Sequence, residues 1–304
     1  MKRPPKLRPG DTIALVAPAR SITEEKLADC IQSLENWGLK VLPGANLLSE
    51  YHQYAGTDAQ RAADLQAALD NPKVKAIMTA RGGYGTLRVV DQLDLSVLKN
   101  NPKWIIGFSD LTVLAMDAVK QGVQAIHGPM AISWDGKTGN QTSFNYLREL
   151  LMETGEAQYK YQPLSGEFCR PGQARGPLIG GNLSLLVNMI GTPSDFDTKG
   201  KILFIEDLDE YFYHFDRMLL HLKRAGKLEG LAGLIAGGFT DVHDNSTPFG
   251  KEIPEIILDA VGDYDFPVCF DFPCGHWPQN YPLILGAEAK LSVSHSQVEL
   301  SFPR

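Results

Sequence analysis

Three residues that could together perform nucleophilic catalysis are spread along the chain: Ser109, Glu206 and His276. Each follows an apolar segment that predicts a strand. They occur in the order nucleophile, acid, base, and a histidine oriented by a carboxylate can take the proton from a serine hydroxyl. The combination predicts a hydrolase triad. Taken singly, each has a plainer interpretation: Ser109 as a helix cap, Glu206 as part of an acidic loop, and His276 as a packing histidine.

A glycine-rich segment, Arg81-Gly-Gly-Tyr-Gly85, follows another predicted strand. Glycines allow the backbone to approach a ligand closely, and their N–H groups can bind an anion. The segment lacks the Lys-Ser/Thr ending of a P-loop and the spacing of a dinucleotide fingerprint. Two functional interpretations stay open, a phosphate loop and an oxyanion donor facing Ser109, and both are preferred over a simple tight turn.

A metal site is the alternative for the segment around His276, with Cys269 and Cys274 as further ligands. Their spacing matches no zinc pattern, and the chain has no second pair of closely spaced cysteines. The sequence therefore predicts neither a metal nor a cofactor. With only four cysteines in the chain, the composition suits a reducing compartment.

The elements that must position these residues alternate between strands and helices in the first half of the chain. Repeated strand, helix and strand indicate a parallel sheet with helices on both faces. In such a sheet, ligands bind beyond the carboxyl ends of the strands, where the candidate residues lie. Ser21-Ile-Thr-Glu24 predicts a capping box at the first helix. The predicted strands are Ile13–Ala17, Val74–Ala80, Trp104–Gly107 and Val123–Ile126.

Changes in composition divide the chain into three parts. Residues 1–135 form the first α/β domain, which carries Ser109. Residues 136–175 are more polar and richer in glycine and proline, which predicts a linker region. Residues 176–304 form a second α/β domain, which carries Glu206 and His276 and ends in short strands, the last two of them as a hairpin.

Length and charge exclude several classes of protein. The chain has 304 residues, 43% of them apolar and 21% charged, which excludes a disordered or fibrous protein. The net charge of −7 argues against nucleic acid or an anionic membrane as partner. Basic residues before Thr12–Ala19 imitate a signal peptide poorly, because prolines and a glycine interrupt them. No apolar run approaches the length of a membrane span. A cytoplasmic protein is expected.

Several short motifs, in order over nearly the whole chain, resemble the LD-carboxypeptidase family of serine peptidases, the muramoyltetrapeptide carboxypeptidases. Each motif is weak alone, and the combination is specific. The motifs are Pro-Gly-Asp11, Val-Ala-Pro18, Arg-Gly-Gly-Tyr-Gly85, Gly-Phe-Ser-Asp110, His-Gly-Pro129, Gly-Gly-Asn182, Glu206-Asp and Cys-Gly-His276.

The resemblance implies an N-terminal flavodoxin-like domain, built on a doubly wound parallel sheet, and a smaller strand-rich C-terminal domain. It implies that Ser109 is the nucleophile, His276 the general base and Glu206 its orienting partner. The substrate would be a murein tetrapeptide, from which the enzyme removes the terminal D-alanine during cell-wall recycling. The family is usually cytosolic and metal-free, and it is often dimeric, so a homodimer is expected.

Three further residues receive roles in this mechanism. The backbone N–H groups of Gly83 and Asp110 are expected to stabilise the oxyanion. Arg81 could bind the terminal carboxylate of the peptide, because a guanidinium binds carboxylates in a bidentate manner, or it could be structural.

Two other functions stay open. The nearer is that of the microcin C self-immunity peptidases of the same family, which cleave aminoacyl or peptidyl adenylate analogues. They would need an aromatic side chain to stack on a nucleobase, for which Trp134 and Trp277 are candidates. The more distant is a flavodoxin-like module that binds a nucleotide or flavin at Arg81–Gly85 without hydrolysis.

Overall fold

The computed structural model describes residues 1–134, 138–153 and 157–303. The chain forms two compact units. The first unit comprises Met1–Gly155 with Pro278–Gly286, and the second comprises Glu156–Trp277 with Ala287–Arg304. The first unit thus takes up a short segment from the C-terminal half, which the sequence does not indicate.

Thirteen strands lie in the described residues. In chain order they are β1 (Thr12–Val16), β2 (Lys40–Pro43), β3 (Val74–Thr79), β4 (Trp104–Gly107), β5 (Ala125–His127), β6 (Gln158–Tyr161), β7 (Gly172–Asn182), β8 (Ile202–Leu208), β9 (Gly233–Thr240), β10 (Val268–Cys269), β11 (Leu283–Leu285), β12 (Glu288–Val293) and β13 (Val298–Ser301).

Seven α-helices accompany these strands in the same described residues, together with short 3-10 helices in the connections. The α-helices are α1 (Glu24–Asn36), α2 (Asp58–Asp70), α3 (Thr112–Lys120), α4 (Thr138–Met152), α5 (Leu183–Met189), α6 (Phe212–Arg224) and α7 (Ile253–Ala260). The described residues of the segment 136–175, where the sequence predicts a linker, include α4, β6 and the beginning of β7. Among the residues described, no helix combines the length and the apolar character that crossing a membrane requires.

The sheet of the first unit has the strand order β2-β1-β3-β4-β5, with all five strands parallel. This order is that of flavodoxin-like sheets, and it confirms the predicted fold class. Strand β11 adds to the free edge of β5 in the antiparallel direction, with Leu283 opposite His127. The central strands are apolar without alternation, because a parallel sheet is covered by helices on both faces. Ile13 to Val16 of β1 are accordingly buried.

The sheet of the second unit joins two kinds of strand pairing. Strands β10, β9, β8 and β7 are parallel, and β12, β13 and β6 continue the sheet in antiparallel fashion beyond β7. The smaller, strand-rich C-terminal domain is therefore confirmed, as is the predicted hairpin of the last two strands. Antiparallel β12 alternates exposed and buried residues along its length, which is the pattern of a strand with one solvated face.

The start of helix α1 differs from the predicted capping box. The helix begins at Glu24 with Thr23 as its N-cap residue, and no side chain caps it. A capping box needs its glutamate three residues after the cap, whereas Glu24 is the first helical residue. The carbonyl oxygen of Ser21 instead accepts a hydrogen bond from Nη1 of Arg81 at 3.1 Å. The box at Ser21 is wrong, because the helix starts two residues later.

Candidate active site

Ser109 lies in a strained turn between a strand and a helix. It follows β4 by two residues and begins a short 3-10 helix, Ser109–Leu111, that leads into α3. Its φ of 62° lies in the left-handed region, which costs a residue with a side chain about 1–2 kcal/mol. Such a turn exposes the hydroxyl of a nucleophilic serine at the end of a strand in other hydrolases. Ser109 is not the cap residue of this helix, so the plainer interpretation as a helix cap does not account for its conformation.

Two glycines leave room for this turn. A Cβ atom on Gly107, whose φ is 156°, would lie 2.3 Å from Cδ2 of Leu111 and 2.4 Å from Oγ1 of Thr79. A Cβ atom on Gly82 would lie 3.2 Å from the Ser109 hydroxyl oxygen. The glycine-rich segment after β3 therefore approaches the serine through Gly82.

The neighbouring Gly83 faces another side chain. With a φ of 107°, its Cβ position lies 2.6 Å from Cδ of Arg20. Only a residue without a side chain accommodates both the backbone conformation and this contact. The predicted oxyanion donor is the backbone N–H of Gly83, and this role stays a prediction.

The side chain of Asp110 ties the glycine-rich segment to the serine turn. It is 1% exposed, and its Oδ2 accepts the backbone N–H of Thr86 at 2.7 Å. Burial raises the pKa of Asp110, while hydrogen bonds from Thr86 and Gly85 and the charge of Arg61 act in the opposite direction. The oxyanion role predicted from the sequence belongs to the backbone N–H of Asp110. The hydrogen bond between its carboxylate and Thr86 is a separate feature that the sequence does not indicate.

Arg81 borders a cavity of about 360 Å³ in the first unit. This cavity is also lined by Ser21, residues 22–24, Lys26, Leu48 and Glu50. Burial, and then the charge of Arg20, lowers the pKa of Arg81. An arginine nevertheless remains a cation at neutral pH. Its positive charge is therefore available at a cavity that also contains acidic side chains.

Glu206 is a fully buried carboxylate in the second unit, with 0% exposure. The sequence predicts that Glu206 follows a strand, whereas it lies within β8, which continues to Leu208. The register between β8 and β9 shifts between Ile205 and Asp207. A bulge of this kind changes the direction of a side chain at a strand end. The alternative of an acidic, solvated loop does not apply to Glu206.

His276 is held by this carboxylate through two bonds. Its Nδ1 lies 2.6 Å from Oε2 of Glu206, and its backbone N–H donates to the same oxygen at 3.2 Å. Gly275 permits this approach, because its φ is 102° and a Cβ atom there would lie 2.6 Å from Oε2. Burial disfavours the protonated ring, yet the charge and hydrogen bond of Glu206, with Asp207 and Asp241, raise the pKa of His276 above its ordinary value. The predicted acid and base are thus brought together.

A second buried carboxylate next to Glu206 was missed. Asp207 is 2% exposed and accepts hydrogen bonds, each of 2.8 Å, from Nδ2 of Asn182 and from the N–H and hydroxyl of Ser184. Burial, and then the charge of Glu206, raises the pKa of Asp207 to about 6. The motif Gly-Gly-Asn182 was the available signal, since Asn182 joins the end of β7 to the end of β8.

The cysteines do not form a cluster with His276. All four are buried, and burial raises the pKa of Cys30 to about 12 and those of Cys269 and Cys274 as well. In the described part of the chain, no three or more histidine, cysteine and acidic residues are placed to hold a metal ion. The thiols are therefore inert packing groups.

The two candidate stacking residues both have aromatic or backbone neighbours. The ring of Trp134 packs edge-on against Phe144, with 4.1 Å between the centroids. The ring of Trp277 lies against Gly238, where a Cβ atom would be 1.8 Å from its Cδ1. Each is half-buried.

Comparison with known proteins assigns the family. Residues 13–128 match the N-terminal domain of LD-carboxypeptidases, and residues 175–291 match the C-terminal domain of the same family. The chain belongs to the LD-carboxypeptidase family. The resemblance stated from the motifs and the expected enzyme class are both confirmed, and this LD-carboxypeptidase carries its serine in the first matched domain and its Glu206–His276 pair in the second.

Named relatives resemble this LD-carboxypeptidase over almost their full length. A Bacillus subtilis protein named "Probable murein peptide carboxypeptidase" is 36% identical over 96% of this chain and 92% of its own. The Pseudomonas aeruginosa "Murein tetrapeptide carboxypeptidase" is 32% identical over 92% of each chain.

Solved structures agree with this assignment. The muramoyltetrapeptide carboxypeptidase of Oxalobacter formigenes superposes with a TM-score of 0.86 at 29% identity, covering 96% of this chain and 99% of the other. The microcin C7 self-immunity protein MccF, in complex with aspartyl sulfamoyl adenosine, superposes with a TM-score of 0.85 at 23% identity, covering 99% and 98%. The second likeness concerns the fold alone.

Proposed function

We propose that this LD-carboxypeptidase removes the terminal D-alanine from murein tetrapeptide, with Ser109 as nucleophile, His276 as general base and Glu206 as its orienting partner. The observation that carries the proposal is the 2.6 Å hydrogen bond between Nδ1 of His276 and the buried Glu206 carboxylate. When Nδ1–H donates to a carboxylate, Nε2 is the basic nitrogen of the neutral ring. That tautomer is the one that accepts a proton from a serine hydroxyl.

The reaction would proceed through an acyl-enzyme. Nε2 of His276 accepts the Ser109 proton while the hydroxyl oxygen attacks the carbonyl carbon of the third stem residue. The resulting imidazolium is stabilised by Glu206 and then protonates the leaving amine of D-alanine. Water, deprotonated by the same nitrogen, attacks the ester, and the imidazolium returns that proton to the Ser109 oxygen as the tripeptide leaves.

The oxyanion formed in both steps needs donors that are already in place. The N–H groups of Gly83 and Asp110 are proposed for this role. Support comes from the approach of the glycine-rich segment to the serine at Gly82, and from the position of Asp110 in the turn that follows Ser109. One such donor typically contributes about 2.7–4 kcal/mol to the transition state.

Arg81 is proposed to bind the terminal carboxylate of the peptide. Its cation borders a cavity in the unit that carries Ser109, and a charged hydrogen bond contributes about 1.5–3 kcal/mol to binding. Arg81→Met should therefore raise KM about 10- to 100-fold for the natural peptide, with a much smaller change in kcat. A tetrapeptide amidated at its C-terminus should be cleaved equally by both proteins. If Arg81→Met affected both peptides alike, the role would be structural.

The main experiment measures D-alanine release from murein tetrapeptide by the wild-type protein and by Ser109→Ala. A tetrapeptide ending in L-alanine is the matched control for the D-specific step. Release by the wild type alone supports both the reaction and the nucleophile. Turnover by Ser109→Ala near the wild-type rate would overturn the assignment.

The same assay separates the alternatives. Cleavage of an aminoacyl adenylate analogue, with no D-alanine release by folded protein, would favour the activity of the microcin C immunity branch. A nucleotide or flavin that copurifies with the protein, without hydrolysis of either substrate, would favour a binding module. A cytoplasmic location and a homodimer follow from the family resemblance, and fractionation and light scattering test them.

A further inference from the structure

A buried arginine outside the proposed triad contacts the glycine-rich segment that approaches the serine. Arg61 of α2 is 1% exposed. Its Nη1 donates to the carbonyl oxygens of Pro18 and, at 2.9 Å, of Gly85, and its Nε donates to the carbonyl of Gly56 at 3.3 Å. Its Nη2 forms an ion pair with Asp58. The guanidinium thus joins the end of β1 to the glycine-rich segment that follows β3.

The guanidinium and Asp110 hold opposite sides of one peptide group. The carbonyl oxygen of Gly85 and the N–H of Thr86 belong to the same peptide plane. Arg61 donates to that carbonyl at 2.9 Å, and Oδ2 of Asp110 accepts that N–H at 2.7 Å. A cation on the oxygen side and an anion on the nitrogen side therefore set the orientation of this plane.

Gly85 makes the arrangement possible. Its φ is 152°, and a Cβ atom there would lie 2.6 Å from Nη1 of Arg61 and 3.0 Å from Cα of Ala19. A side chain would displace the guanidinium. The same segment continues back to Gly82, whose Cβ position is 3.2 Å from the Ser109 hydroxyl oxygen. A rotation of the Gly85–Thr86 peptide would consequently move the backbone that approaches the serine.

Packing alone does not account for two buried charges at this point. Burying a charge is costly, and well-packed apolar side chains of similar volume often stabilise a fold equally well or better. Charged hydrogen bonds, in contrast, fix the direction of the groups they contact. Catalytic groups must be held close to their productive geometry, and a misplacement of about 1 Å can cost about 100-fold in rate.

We propose that Arg61 and Asp110 are positioning residues that orient the Gly85–Thr86 peptide and thereby hold the glycine-rich segment against Ser109. Arg61 acts only through the backbone it contacts, and the Asp110 carboxylate does the same, separately from the N–H of Asp110. The inference rests on the proposed function for the assignment of Ser109 as nucleophile.

The test compares Arg61→Met and Asp110→Asn with a matched control, Lys103→Met. Lys103 is also fully buried in the first unit, and its Nζ donates to the carbonyls of Ala68 and Asn71, at 2.8 and 2.6 Å. Asp110→Asn preserves the shape of the side chain and removes its charge, so it keeps the test valid if Arg61→Met does not fold. Arg61→Lys is the conservative variant, which retains the charge and loses the fork of donors.

Four quantities are measured on each protein: kcat and KM with murein tetrapeptide, the rate of labelling by a fluorophosphonate, and the melting temperature. We expect Arg61→Met and Asp110→Asn to lower kcat and the labelling rate about 10- to 100-fold with KM nearly unchanged. Arg61→Lys should recover part of this loss. Lys103→Met should lower the melting temperature and leave kcat and the labelling rate within about twofold.

A loss of thermal stability like that of Lys103→Met, without loss of kcat or of labelling rate, would overturn the inference. The labelling rate distinguishes this failure from failure of the proposed function. If the wild type labels at Ser109 but releases no D-alanine, the substrate is wrong, and the labelling rates of the variants still decide the role of Arg61 and Asp110. If Ser109→Ala labels like the wild type, the nucleophile itself is wrong.

Discussion

Oε2 of Glu206 accepts two hydrogen bonds from His276, one from Nδ1 at 2.6 Å and one from its backbone N–H at 3.2 Å. The side-chain bond selects the tautomer, and the backbone bond fixes the loop that carries the ring. Because the carboxylate has no exposed surface, its charge is little screened by solvent. Catalysis, its pH dependence and the pH dependence of stability should therefore all depend on this pair.

Glu206→Gln should greatly reduce catalysis while leaving the fold intact. The amide keeps the shape of the side chain, but it can present an N–H to Nδ1 and so favour the wrong tautomer. It also removes the charge that stabilises the imidazolium. Loss of the corresponding carboxylate charge in a serine protease costs about 10⁴-fold in kcat, and we expect a loss of about 10³- to 10⁴-fold. Steady-state kinetics with circular dichroism check this, and a loss below about tenfold would contradict the assigned role.

The pH dependence of kcat/KM should show an acid limb above pH 6.5. The base must be neutral, and the pKa of His276 is raised above its ordinary value of 6.5. Activity should therefore fall as the pH falls through this raised pKa. Glu206→Gln removes the charge that raises the pKa, so its residual acid limb should move to lower pH. A pH–rate profile of both proteins measures the shift, and an unchanged limb would contradict the prediction.

The same pKa shift predicts how stability depends on pH. A histidine whose pKa is higher in the folded state stabilises the fold below its unfolded pKa of about 6.5. That contribution disappears as the pH rises through the folded pKa. Denaturant unfolding at several pH values should show a smaller decline across this range in His276→Gln than in the wild type.

Gly275→Ala should impair both the fold and the catalysis of the second unit. The residue has a φ of 102°, and the added Cβ would lie 2.6 Å from Oε2 of Glu206. Gly226→Ala is the matched control, since Gly226 has a φ of 73° but no atom within 4 Å of its Cβ position. The control should lose about 1–2 kcal/mol of unfolding free energy and keep its kcat. Gly275→Ala should lose more, together with at least about tenfold in kcat.

Ser109→Gly should be more stable than Ser109→Ala, although both should be inactive. The left-handed backbone at φ 62° costs alanine about 1–2 kcal/mol, a cost that glycine does not have. The greater entropy of glycine in the unfolded chain offsets part of this, leaving a difference of about 1 kcal/mol. Ala67→Gly, at an exposed position within α2, should show the opposite sign, a loss of about 1 kcal/mol. Equal stability of the two Ser109 variants in urea would mean that the turn is not strained.

Much of the fold could be predicted because its signals are local. Apolar runs of the length of β1 and β4, separated by helical spacing, indicate a parallel sheet wherever they occur. The capping box at Ser21 failed because the pattern does not specify which of two hydroxyl residues precedes the first turn. The addition of β11 to β5 was not predictable, since it pairs Leu283 with His127 across about half of the chain.

The residues of the candidate site also fall into two groups, those that local sequence signals identify and those that only the fold reveals. Glu206 and His276 could be chosen by residue type and by the apolar segments that precede them, and the structure joins them, although β8 continues past Glu206. Arg61 was missed because an arginine in an amphipathic helix ordinarily faces solvent. Asp207 was missed because its acidic neighbours suggest a solvated loop, whereas β8 continues through it and buries it.

The sequence by itself determined the alternation of strands and helices in the first unit, the family, and the residues that could act as nucleophile, acid and base, because these follow from local periodicity and short motifs. Only the tertiary structure decided that Glu206 holds His276, that Gly82 approaches Ser109, and that Arg61 and Asp110 hold one peptide from both sides. The physical reason is that these are contacts of a few ångströms between residues far apart in the chain, and burial in the folded protein determines which polar groups must satisfy each other.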